Sequence, residues 1–256
     1  MSSLNLIAHC GAQHVSRDEV MGIQAPKPMG TRHLPIPHGQ FLTTIDSQLE
    51  KVGLRAVQEV HAVGHEGQRY FGMMEVVNGT KAGEDYGTVL GFRNANDQTF
   101  TAGLLAGSGV FVCDNLCFSG EIKVGRKHTL NILRDLPTLI FDALGRVGAL
   151  RTFQSERIEA YKRFELTDSR VNDLLIESLD LGVIASSKIG KVLGEWREPS
   201  HEEFAESKNG WRLMNAFTEV MKPRLQGDDL FTLPAKTEVL HSILDRACEV
   251  KATVLN

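Results

Sequence analysis

The chain has 256 residues, 42% of them apolar and 23% charged, with a formal net charge of −4. That length holds one large core or two smaller ones, and two modules are the expectation. Net acidity argues against a protein that coats duplex DNA by bulk electrostatics, and the sequence shows neither a signal-peptide pattern nor about 18 consecutive apolar residues, so no membrane partner is expected and the compartment expected is the cytoplasm.

Residues 1–39 carry Pro26, Pro28, Pro35 and Pro37 without a sustained apolar period, which predicts an extended Pro-rich arm. The stretch "TTIDSQLEKVG" then predicts a short amphipathic helix, with Thr43 or Thr44 as N-cap, Ile45, Leu49 and Val52 on one face, and Gly53 as the stop. From Leu54 to Val124 short runs rich in Val, Phe and Tyr alternate with "GHEGQ", "NGTKAGED", "NAND" and "GSG". Turns so close together require antiparallel hairpins, because a parallel connection needs a crossover of about a dozen residues. Residues 40–130 are thus expected to form an antiparallel β-sheet module. No GxxxxGK[ST] or GxGxxG occurs, so nucleotide hydrolysis of those kinds is not expected.

After His128 the period becomes helical. Leu136, Leu139, Ile140, Ala143, Leu144, Val147 and Leu150 share one face, the pattern continues through Ile158, Tyr161 and Phe164, and Gly145 or Gly148 marks a break. Further helices are expected after Asp168 as cap, after a Ser200-to-Glu203 capping box, and over "KTEVLHSILDRACEV"; Trp211, Met214, Phe217 and Met221 are expected in a core. Residues 131–256 make a helical module. The fold class is α+β: an antiparallel β-meander with a short preceding helix, followed by a long helix and a helical C-terminal half.

Candidate chemistry is sparse. Cys10, Cys113, Cys117 and Cys248 are scattered, and the C-x3-C pair is poor zinc geometry, so reduced and mostly buried thiols are expected. His61 and His65 read as surface turn histidines rather than metal ligands. Asp114 and Asn115, with Glu75 and Asp97 in the same sheet, offer carboxylates for Mg²⁺, but turn capping by Asp and Asn is commoner. No catalytic residue, metal or cofactor is assigned.

Charge is uneven. Residues 121–170 set ten Lys and Arg against seven Asp and Glu, whereas the segments before and after are net acidic. The positive block begins in "GEIKVGRKHT". Arg93, Lys123, Arg126, Lys127 and His128 form the candidate set for a groove that follows a phosphate backbone, with Tyr70 and Phe92 for base stacking. A sheet edge guarded against aggregation by cations is the alternative.

The segments "VLGFRNANDQTFTAGLLAGSGVFVCDNLCFSGEIKVGRKHT" and "NGWRLMNAFTEVMK" resemble the phage/plasmid-like family that carries a domain of unknown function. The resemblance covers residues 40–225 and rests on Val112 to Asn115, Arg126 to Thr129, and Trp211 with Asn215 to Glu219. It implies a mobile-element setting and carries no activity with it. In outline, helix then hairpins then long helix, the chain is also similar to RecT/Redβ-type single-strand annealing proteins. The function expected is single-stranded DNA binding and annealing by a homo-oligomer, without nucleotide hydrolysis. Two alternatives stay open: a protein-binding inhibitor of a host defence system, whose partner is a host protein, and a metal-dependent nuclease using Asp114.

Overall fold

The computed structural model describes residues 12–78, 86–110, 122–221 and 233–250. A short strand β1 (Gln13–Val15) and helix α1 (Arg17–Gly22) come first, then helix α2 (His38–Lys51) and strands β2 (Leu54–Gly64), β3 (Arg69–Asn78), β4 (Tyr86–Ala95), β5 (Ala102–Val110) and β6 (Ile122–Arg126). Helices α3 (Ile132–Gly145), α4 (Val147–Arg163), α5 (Asp168–Asp180), α6 (Ile189–Arg197), α7 (Gly210–Met221) and α8 (Leu233–Ala247) complete the chain. The six strands form one sheet in the order β1-β2-β3-β4-β5-β6, every neighbouring pair antiparallel. The α+β class with a helical C-terminal half is what the structure has.

Local chemistry explains where it departs from the expected boundaries. The stretch before residue 39 is not simply extended. Ser16 caps α1 in a reciprocal box with Glu19, and β1 pairs with β2. Helix α2 starts at His38 rather than at Thr43 or Thr44, whose hydroxyls donate back to the Gly39 and Gln40 carbonyls from inside the helix. Its end falls where expected, at Gly53 with φ +72°. Thr167, not Asp168, caps α5, its hydroxyl accepting from the Arg170 N–H. Ser200 bonds back to Glu195 instead of opening a capping box. The long helix breaks after Gly145 into α3 and α4.

Two cores result. Helices α1, α2 and α3 lie on one face of the sheet, the inner face, where Phe41, Leu42 and Ile45 of α2 and Leu136, Ile140 and Leu144 of α3 pack on Tyr70, Met74, Leu90, Phe92 and Leu104. The second core joins Ile158 and Tyr161 of α4 to Trp196, Trp211, Phe217, Leu240 and Leu244. Helix α4 belongs to both, since Val147 and Leu150 sit in the first. The division between cores therefore falls inside α4, not at residue 130. Trp211, Met214, Phe217 and Met221 are all buried, as their helical spacing implied. Among the described residues no helix is long and apolar enough to cross a membrane.

Inner-face packing turns on one glycine. A Cβ on Gly72 would stand 2.1 Å from Phe92 Cε2, inside a core that leaves Phe92 and Tyr70 almost no exposure. Gly72→Ala should therefore destabilise the fold by about 1–3 kcal/mol in urea denaturation, the range for forcing extra volume into a packed core. An unchanged midpoint would mean that the Phe92 ring does not rest on this backbone.

Candidate nucleic-acid interface

Side chains on a strand alternate between faces, so pairing register decides which residues can act together. On the inner face Tyr70 stands opposite Asn94 and Gly72 opposite Phe92. On the outer face one row runs Phe71, Arg93, Gly103, Gly125, and the next runs Met73, Gly91, Leu105, Lys123. Phe92 and Arg93 are consecutive and cannot serve one surface. Tyr70 and Phe92, expected to stack on bases, are core residues at 0% and 4% exposure. Their neighbours Phe71 and Arg93 face out.

The turn between β4 and β5 adds Phe100 to that outer face. Its ring centroid lies 5.2 Å from that of Phe71, and the Arg93 guanidinium sits 4.9 Å from the Phe100 centroid. All three are half-buried, and burial draws the Arg93 pKa down. Arginine nonetheless stays charged, its ordinary value lying far above neutrality. Alongside, Arg69 donates to Asp97 at 2.6 Å and to the Thr99 hydroxyl at 2.8 Å. Partial burial of Asp97 opposes ionisation, but hydrogen bonds from Thr99 and Arg69 prevail and hold its carboxyl below the ordinary range. Next to this group lie Gly103 and Gly125, where side chains do not fit: a Cβ on Gly103 would meet the Val124 carbonyl at 2.6 Å, and one on Gly125 the hydroxyl of Thr101, whose side chain covers that glycine, at 2.8 Å.

The basic set divides between the faces. Arg93 and Lys123 share the outer one, where Lys123 Nζ lies 2.9 Å from the Glu238 carboxylate of α8 in an exposed pair. Arg126, an odd number of residues from Lys123, takes the opposite phase and pairs with Asp135 of α3 at 2.7 Å. Lys127 is exposed just beyond β6. His128 is not a surface cation. Its imidazole is buried, with Nε2 2.7 Å from Asn94 Oδ1, and burial first, then the neighbouring His33 and His38, push its pKa down to about 4.

His128 belongs to a buried polar network that sequence patterning did not reveal. Asn94 donates to the Ile36 carbonyl at 3.0 Å and to His38 Nδ1 at 2.9 Å, while His38 Nε2 donates to the Gly67 carbonyl at 2.8 Å. Asn96 brackets Ile36 as well, accepting from its N–H and donating to its carbonyl. Beside it, near the same end of β2, the Tyr70 hydroxyl meets His61 Nδ1 at 2.9 Å, and His61 Nε2 lies 3.5 Å from Glu59, which with Asp46 receives Arg17 of α1. His61, expected on a surface turn, is thus buried at 4% exposure. His65 does sit in the β2–β3 turn, its side chain more than half exposed.

The other candidates have less to offer. Glu75 is buried at 3% exposure. Cys248 is a buried free thiol whose pKa burial pushes up to about 12, while Cys10, Cys113, Cys117, Asp114 and Asn115 lie outside the described residues. Among the described residues no group of three His, Cys, Asp or Glu is placed to hold a metal. No protein-family model, curated protein or solved structure matches the chain.

The buried imidazoles set a pH dependence. His38, His61 and His128 all have pKa values lowered by burial, so each stays neutral in the folded chain where the unfolded chain already binds a proton. Stability is complete above the unfolded value near 6.5 and falls as pH drops below it, for His128 down to about 4, by up to about 1.4 kcal/mol per pH unit for each histidine while it remains neutral in the fold. The imidazole NMR signals of His128 should accordingly stay in their neutral positions between pH 7.5 and 5.5, and those of His38 and His61 should titrate below the ordinary histidine value. A titration midpoint at or above 6.5 for His128 would contradict its burial against Asn94.

Proposed function

We propose that the outer face of the sheet binds single-stranded nucleic acid, with DNA the expected ligand, and that the chain acts as an annealing-type homo-oligomer without nucleotide hydrolysis. The observation that carries the reading is the Phe71–Phe100–Arg93 group. It sets aromatic and guanidinium planes beside Gly103 and Gly125, with Lys123 in the neighbouring row of the same face. Bases stack on such surfaces with little regard to sequence, because every base has a π-face, and cations nearby follow the phosphates.

The chain's net acidity limits long-range attraction but not this mode, in which stacking supplies affinity and a few cations supply register. Repetition of the face in an oligomer would extend a short site along one strand, where each further subunit binds at high effective concentration. A mobile-element setting, which the sequence's phage/plasmid-like resemblance implies, would suit such a protein. Arg126 and His128 have no part in the proposal, being tied to Asp135 and Asn94 respectively.

Fluorescence anisotropy with a labelled single strand at two salt concentrations tests it. Replacing Phe71 and Phe100 by Ala should weaken binding by about 1–3 kcal/mol per base unstacked, with the salt slope kept. Replacing Arg93 and Lys123 by Ala should flatten that slope by roughly 0.7 for each phosphate left without its cation. Binding that none of these four changes alters would remove the outer face from consideration. Lack of salt-dependent binding by the unaltered chain would favour the protein-binding alternative.

A further inference from the structure

Helix α3 covers the sheet with one side and turns an unusual surface outward with the other. Leu133, Pro137 and Phe141 follow one another at intervals of four, and Leu130 continues the line past the helix start. Leu130 is 64% exposed, Leu133 45% and Phe141 41%. Beside this apolar ridge runs a second one of Arg134, Thr138 and Asp142, all exposed. Residues four apart form ridges that pack into the grooves of another helix. Next to Pro137, an open groove of about 450 Å³ between α2 and α3, edged by Met21, Thr43, Thr44 and Ser47, continues the surface.

The charges on this face are placed against the helix's own electrostatics. Arg134 lies in the first turn, where a cation is unfavourable, and Asp142 in the last, where an anion is. Asp135 offsets Arg134 at 2.7 Å. Nothing comparable is seen at Asp142 among the described ion pairs. The two are equidistant from Thr138, one turn to either side, as are Arg134's neighbour Leu133 and Phe141 from Pro137. A pattern of opposite charge about a centre is complementary to itself after a half-turn.

We propose that the exposed face of α3 is a twofold interface with a second copy of this chain, the two α3 helices antiparallel and the axis passing between Pro137 and Thr138. Arg134 then faces the partner's Asp142, and Leu133 packs against the partner's Phe141, each pairing occurring twice. Such an isologous interface uses one patch on both copies. It covers the exposed apolar ridge and gives Asp142 a cation. A single helix face with an adjoining groove falls toward the small end of stable interfaces, which bury about 800 Å² per partner, so a dimer of micromolar affinity is expected. The pairing leaves the outer face of the sheet open and is independent of the nucleic-acid reading.

Sedimentation equilibrium of the full chain without nucleic acid, up to about 200 µM, reads the result. The unaltered chain should dimerise. Arg134→Glu and Asp142→Lys should each weaken the dimer by about tenfold or more, since each sets like charges opposite one another at both symmetric positions. The double variant should return close to the original affinity, and both of its charges suit the helix ends, so folding is not at risk. Phe141→Lys should abolish dimerisation while leaving the melting temperature nearly unchanged. The proposal is overturned by a monomer at the highest concentration, by a dimer indifferent to the single variants, or by a double variant as weak as either one.

Discussion

The side-chain amide of Asn94 is fully buried in the fourth strand and reaches the start of α2 and the segment that leads into α3. It donates to Ile36 and His38, the latter being the first residue of α2, and accepts from His128, four residues ahead of α3. Each partner is itself buried, so removing the amide would strand several polar atoms without water, at about 1–3 kcal/mol apiece. The bonds therefore do more than add stability. They fix where two covering helices leave the sheet, and they stitch residues 33–38 against the end of β6, where Leu34 donates to the His128 carbonyl and His33 pairs with Thr129.

Once α2 and α3 are placed, the inner face is committed to packing; on the outer face Glu75, Val77 and Val89 are buried too, and the half-exposed part lies around Phe71, Arg93 and Phe100. Tyr70 and Phe92 are drawn inward to the helices, while Phe71, Arg93 and Phe100 are left at a half-exposed surface. The positive block near residue 126 divides in the same way. Arg126 ties the sheet to α3, His128 ties it to Asn94, and Lys123 and Lys127 remain exposed. A cluster that looks continuous in one dimension becomes two ties at the inner face, one exposed ion pair from Lys123 to α8, and Lys127 at the surface.

Much of this fold was legible in the sequence because turn spacing forces antiparallel hairpins and because helical periodicity after residue 130 is strong. The candidate site was legible only in part. In "RYFGMMEVV" only Arg69 and Glu75 are charged; both take the phase of Phe71, a sparse signal that Tyr70 faces the helices, and Arg93 strengthens it only once its pairing with Phe71 is known. One constraint was available from the start, since consecutive residues such as Phe92 and Arg93 cannot share a strand face. The histidine network could not be read at all. Its members are dispersed from residue 33 to residue 128, and only the folded register brings His38, Asn94 and His128 within hydrogen-bond reach.

Helix α4 joins this assembly to the second core, and α8 reinforces the join: Arg157 and Tyr161 of α4 both engage Asp245, while Glu238 reaches Lys123 at the sheet. The proposed recognition face thus sits on a framework braced from both sides, and its central claim is one of location. Ultraviolet cross-linking of a single-stranded oligonucleotide to the full chain, followed by peptide mass spectrometry, tests that location directly. The account predicts adducts on the peptides that carry Phe71 and Phe100. Adducts confined to the α4–α8 helices, with the outer face of the sheet unmarked, would contradict it.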